Sequence, residues 1–91
     1  MSVTVRIPTT MRPLTGGEKQ VSVETGTLAD VIASLEATHP GMGERLLDDG
    51  GGLRKFVNIF VDDDDVRYLD GLDTKVADGI TVSIIPAVAG G

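Results

Sequence analysis

One long stretch of helical periodicity stands among runs that alternate with a period of two, and this arrangement decides what the chain can fold into. Leu28, Val31, Ile32 and Leu35 recur at i, i+3, i+4 and i+7, so they share one helix face. Thr27 ahead of them and Asp30 three residues later resemble a capping box with Asp in the place of Glu. His39-Pro40-Gly41 ends the stretch, because the residue before proline is pushed out of the α region and glycine tolerates the turn. The pattern predicts a helix over 28–38.

Strand patterns flank it. Val3, Val5 and Ile7 alternate with Thr4, Arg6 and Pro8, which predicts a half-buried strand over 2–8. A polar connection, Thr9 to Gly17, leads to Val21 and Val23 among Gln20, Ser22 and Glu24, a second strand pairing as a long-looped hairpin. After the helix, Leu46 and Leu47 suggest a short helical turn, and Asp48 to Gly52 is a loop. Phe56 to Val61 is the next strand, with Val57, Ile59 and Val61 on one face and Phe56, Asn58 and Phe60 on the other. Asp62 to Asp65 is expected to turn into a short strand over Val66 to Leu69. Gly71 to Ala77 crosses irregularly, and Asp78-Gly79 turns into a last strand over Thr81 to Ile85.

The order ββαβββ argues for an α+β fold, a sheet of about five strands with one main helix packed on one face. A length of 91 residues fits one domain, expected over 1–85, with 86–91 as a flexible C-terminal tail. There is no internal repeat.

Composition narrows the chemistry. With no Cys there is no disulfide, thiol nucleophile or thiolate metal site, and the single His39 leaves Ser-His and His-cluster chemistry without material. His39 reads instead as a helix-end residue complementing the dipole. A net charge of −6 with 3% aromatic residues is poorly suited to nucleic acid. The longest apolar run, Ile84 to Ala89, is far below membrane-spanning length, and the start lacks a basic segment followed by an apolar one, so a soluble cytoplasmic protein is expected. Asp62 to Asp65 invites a calcium reading, but a helix-loop-helix calcium loop begun at Asp62 needs Gly and Glu where Arg67 and Asp73 stand. Gly16-Gly17 and Gly50-Gly51-Gly52 lack the strand-turn-helix context of phosphate loops and read as turns. No bound cofactor and no metal site are expected.

The last residues differ. Pro86-Ala87-Val88-Ala89-Gly90-Gly91 shrinks in side-chain size to nothing. A frayed tail is the bland reading. A stretch without β-carbons also fits a narrow slot, where a larger residue would collide. The α-carboxylate at Gly91 is ionised at neutral pH and resists nucleophilic attack, so chemistry there requires activation, as by adenylyl transfer to a mixed anhydride.

These residues resemble the ubiquitin-like β-grasp sulfur carriers: the strand and helix order, Val57-Asn58 within a strand, Asp78-Gly79 before the last strand, and the ending Ile85-Pro86-Ala87-Val88-Ala89-Gly90-Gly91. The resemblance covers essentially the whole chain. Val3-Thr4-Val5-Arg6-Ile7-Pro8-Thr9, Arg12-Pro13-Leu14-Thr15-Gly16-Gly17 and Phe56-Val57-Asn58-Ile59-Phe60-Val61 are most similar to the actinobacterial carriers of thiocarboxylate-dependent cysteine biosynthesis. The molybdopterin-synthase small subunit is the next most similar type. The resemblance implies a mixed β-grasp sheet and a protein that is not itself an enzyme. It implies that an E1-like adenylating and sulfurtransferase enzyme uses ATP on Gly91, with Gly90 beside it, and that sulfur replaces one terminal oxygen. The thiocarboxylate would then serve an acceptor synthase. A cysteine synthase carrying pyridoxal phosphate is the first choice, with a metallopeptidase releasing cysteine afterwards. Molybdopterin synthase and a thiosugar synthase are the alternatives.

If Val82 and Ile84 face the core, Ile85 faces outward with Phe60, and together with Pro8 they form an apolar patch beside the tail. That patch, with Ala87, Val88 and Ala89 in the slot, is the expected partner surface. Burial of Phe60 beneath a loop is the competing reading. Two other functions use the same tail: a modifier joined to target lysines, and a binding subunit whose tail only inserts into a partner.

Overall fold

A computed structural model describes residues 2–55 and 57–86. Its strands are β1 (Ser2–Arg6), β2 (Gln20–Glu24), β3 (Gly26–Thr27), β4 (Val57–Val61), β5 (Asp64–Asp65), β6 (Lys75–Val76) and β7 (Thr81–Pro86), and its helices are α1 (Leu28–Thr38) and α2 (Met42–Leu46). Five strands form one sheet in the order β2-β1-β7-β4-β5, and β3 and β6 pair separately. The sheet is mixed: β1 runs parallel to β7, and the other neighbours are antiparallel. The five-stranded sheet and α1 reproduce the expected ββαβββ order.

The alternating runs form the ladders because each has one apolar face to bury. Val3, Val5, Val57, Ile59, Val61, Val82 and Ile84 lie at 7% exposure or less, and the α1 residues Leu28, Val31, Ile32 and Leu35 join them in one core. Each such side chain contributes roughly 1.5–3 kcal/mol of transfer free energy. The capping box is complete: the Asp30 amide donates to Thr27 Oγ1 at 3.2 Å, and the Thr27 amide donates to Asp30 Oδ2 at 3.0 Å. Gly26 leaves room for it, since a Cβ there would stand 2.8 Å from Asp30 Oδ2. At the other end His39 caps α1, its amide donating to the Leu35 carbonyl. Gly41 then turns the chain at φ 103°, a left-handed conformation that glycine takes without strain.

Several expectations need correction. β1 stops at Arg6 rather than residue 8: the Ile7 amide still donates to the Lys19 carbonyl, but Pro8 has no amide with which to continue the ladder. The connection read as a polar loop is a 3-10 helix over Thr9–Thr15, with Met11 and Thr15 buried. The turn in the acidic run is only Asp62-Asp63, with Asp62 at φ 55°, and Asp64–Asp65 already pairs with Phe60 and Val61. The segment expected as a strand over 66–69 is a 3-10 helix over Val66–Tyr68. Asp65 ends the ladder by accepting the Arg67 amide at 2.9 Å. The crossing over 71–77 contains a 3-10 turn, Gly71–Asp73, and strand β6, whose partner β3 is only two residues long. β4 is described from Val57; Phe56 lies outside the described residues. β7 reaches Pro86, one residue beyond the expected Ile85.

Both outer strands carry polar or charged residues on their solvent face, Gln20, Ser22 and Glu24 on β2 and Asp64 on β5, which disfavours edge-to-edge association.

Candidate functional site

The central strand β7 delivers the chain to the candidate site. Its last pairs are Ile84 with Ile59, Ile85 with Asn58, and Pro86 with Val57. Ala87, Val88, Ala89, Gly90 and Gly91 lie outside the described residues, so the site is built here from what surrounds Pro86.

Alternation along β7 buries Val82 and Ile84 and leaves Ile85 49% exposed on the outer face. Phe60 pairs with Ser83, and Asn58 pairs with Ile85, so Phe60 and Ile85 occupy one face at diagonal positions, within reach of large side chains. Phe60 is half-buried. Pro8 is also half-buried, but it precedes the 3-10 helix in an extended conformation after β1 has ended, so it lies at the end of the sheet rather than on the same ladder. The structure thus brings Ile85 and Phe60 together on one face and sets Pro8 at its margin.

Two features beside Pro86 carried no sequence signal. The first is an open cleft of about 600 Å³, bordered by Met11, Glu44, Arg45, Arg54, Val57 and Pro86. Arg54 holds one wall in place, its Nε donating to the Glu44 carbonyl at 2.7 Å. The second is Arg67. Its Nη1 donates to Asn58 Oδ1 at 2.6 Å, and its Nη2 donates to the carbonyls of Arg54 at 2.7 Å, Val57 at 2.8 Å and Lys55 at 3.2 Å. One guanidinium therefore ties the segment after β5 to the start of β4, the strand opposite Pro86. The adjacent pair Arg54-Lys55 was visible in the sequence, but only the fold places it near the last strand.

The other chemistry-bearing residues are used locally. Asp62 Oδ1 accepts the Thr81 amide at 3.1 Å, and Asp78 Oδ1 accepts the Ser2 amide at 2.8 Å. Among the described residues no cluster of three or more His, Asp or Glu could hold a metal ion, and no buried side-chain polar atom lacks a hydrogen-bond partner. No helix among them is long and apolar enough to cross a membrane.

Comparison with known proteins places this geometry. A model of the ThiS family matches residues 5–91. The sulfur carrier protein CysO of Mycobacterium tuberculosis is 56% identical over 93 residues, covering 100% of both chains. Small archaeal modifier protein 3 of Haloferax volcanii is 41% identical over 68 residues, 75% of this chain and 73% of that protein. Among solved structures, the Amycolatopsis orientalis BexX/CysO complex contains a chain that superposes with a TM-score of 0.92 at 46% identity, covering 98% of this chain and 99% of that one. The architecture is the ubiquitin-like β-grasp.

Proposed function

Because the chain belongs to the ThiS family, we propose that it is a sulfur carrier whose working group is the Gly91 carboxylate. Carriers of this type are acted on by enzymes and are not enzymes themselves. The supporting observation is the 56% identity to a CysO sulfur carrier, which runs through the whole of both chains.

In this reading a carboxylate oxygen of Gly91 attacks the α-phosphorus of ATP, and pyrophosphate leaves. The product is an acyl adenylate, whose phosphate is a good leaving group. Sulfur at the sulfide level then attacks the acyl carbon and AMP departs, leaving a thiocarboxylate. An E1-like enzyme supplies that site. The absence of cysteine suits the role, since the carrier then has no thiol to capture its own activated acyl group. Gly90 and Gly91, with Ala87 to Ala89 before them, fit a narrow slot. Domain 1–85 presents the segment 86–91, and the outer face with Ile85, Phe60 and Pro8 supplies apolar contact. The sulfur goes to cysteine biosynthesis, through an acceptor synthase that carries pyridoxal phosphate.

The likeness to an archaeal modifier protein favours one second reading, conjugation of Gly91 to target lysines. Intact mass after incubation with ATP, sulfide and the cognate activating enzyme separates the two. A sulfur-for-oxygen exchange supports the carrier, and a ladder of heavier conjugates supports the modifier. A chain extended by one residue beyond Gly91 should remain folded and unactivated. Thiocarboxylate on the extended chain would contradict the mechanism.

A further inference from the structure

The formal charge of −6 is distributed unevenly. The register sets Ser2, Glu24, Val61 and Thr81 towards one end of the sheet, and Gln20, Val57 and Pro86 at the other. The first end also holds the start of α1, where the Leu28 amide donates to the Thr74 carbonyl. It gathers Glu24, Asp30, the run Asp62–Asp65, Asp70, Asp73 and Asp78: nine carboxylates against one cation, Lys75.

The end where β7 stops is close to balanced and holds most of the cations. Arg12, Lys19, Arg45, Arg54, Lys55 and the Arg67 guanidinium, six cations, meet five carboxylates, those of Glu18, Glu36, Glu44, Asp48 and Asp49, with Arg6 between the two ends. Two of these five are turned onto backbone amides: Glu36 accepts from Gly41 and Gly43, and Asp48 accepts from Gly50 and Gly52. Arg45 and Arg54 border the cleft beside Pro86 together with Glu44, and Lys55 lines a neighbouring hollow that shares Arg54 and Val57 with it. The molecule extends 35 Å along its longest axis, whereas charges are screened beyond about 8 Å at physiological ionic strength. A partner at this end therefore responds to the local charges, six cations against five carboxylates of which two are turned onto backbone amides, and not to the net charge.

Resting on the carrier reading, we propose that the end of the domain around Pro86 docks on a protein surface lined with carboxylates, the rim of the slot that takes the tail. The nucleotide itself is the wrong occupant for these cations. Five residues follow Pro86 and reach about 17 Å when fully extended, so a tail held extended in a slot would put a nucleotide reacting at Gly91 beyond the screening distance, while the rim would lie beside the cleft. Arg45 and Arg54 border the cleft with Pro86, and Lys55 lines the neighbouring hollow, a spread that suits opposing carboxylates around a slot. Steering of this kind orients the carrier tail-first and turns its acidic end away from the same rim.

The test is the salt dependence of kcat/KM for ATP-driven activation by the cognate enzyme. The native chain should lose several-fold between about 0.05 and about 0.3 M salt. Arg45→Glu with Lys55→Glu should lower kcat/KM by about tenfold, leave kcat unchanged and flatten the salt dependence. Asp63→Lys with Asp73→Lys, at the acidic end, should stay within about twofold of the native value. Circular dichroism and melting verify that each variant is folded. A native kcat/KM indifferent to salt, or equal losses from both reversals, would overturn the docking proposal and leave the carrier reading standing. Absence of activation of the native chain at every salt concentration would remove both.

Discussion

Val57 and Pro86 face each other as the last register pair between β4 and β7. Because β7 lies between β1 and β4, the chain leaves the sheet from its middle strand, with Arg54 and Val57 on one side and Met11 across the cleft. What fixes Val57 therefore fixes the strand opposite Pro86, the last described residue of β7, and Arg67 contributes to that through the Val57 carbonyl.

Arg67→Ala should destabilise the domain by about 1–2 kcal/mol, a value reduced for the exposure of the side chain. Arg67→Lys should recover less than half of that, because a single ammonium lacks the planar fork that reaches Asn58 and three carbonyls together. Urea unfolding measures both. Equal stability of all three chains would show that the network does not hold the β4 strand.

Met11 tests whether the connection between β1 and β2 belongs to the core. It is 4% exposed, so Met11→Ala should cost about 2–4 kcal/mol, against less than about 0.5 kcal/mol for a side chain on a loose loop. Chemical denaturation distinguishes these outcomes.

The Met11 case also marks where the sequence was legible and where it was not. Leu28–Thr38 was readable to the residue, because Thr27, Asp30 and the spacing of Leu28, Val31, Ile32 and Leu35 all point to the same helix. β4 and β7 were readable because Val57, Ile59 and Val61, and likewise Val82 and Ile84, recur at every second position, and the outward placement of Ile85 follows from that period. Met11 stands alone among Thr, Arg and Pro and has no periodicity to reveal it. β3 and β6 are too short to carry a pattern, and Val66 and Tyr68 mimicked a strand whose ladder Asp65 had already ended. The Arg67 network and the grouping of cations near Pro86 arise from tertiary contacts that no local signal encodes. Gly90 and Gly91 are legible through the diglycine pattern and the family resemblance alone.

Thr27→Ala should cost about 1 kcal/mol by removing the cap acceptor for the Asp30 amide. Gly26→Ala should also destabilise, since its new methyl displaces the Asp30 carboxylate from the Thr27 amide. Thermal melts of the two single variants and the double variant check this, with a combined loss smaller than the sum because both act on one motif.

Ile85→Asp should weaken binding to the activating enzyme by about tenfold while changing stability by less than about 1 kcal/mol, because the side chain is half exposed before any partner arrives. Phe60→Asp should weaken binding comparably at a larger cost in stability, since Phe60 is half-buried. Calorimetric titration alongside melting reads both quantities, and unchanged affinity in both variants would remove the outer face from the docking surface.

The most direct test of the carrier role is tandem mass spectrometry of the C-terminal peptide after incubation with ATP, sulfide and the activating enzyme. The account predicts one sulfur-for-oxygen exchange, located at Gly91 and dependent on ATP. An unchanged peptide under turnover conditions, or sulfur located at any other residue, would contradict it.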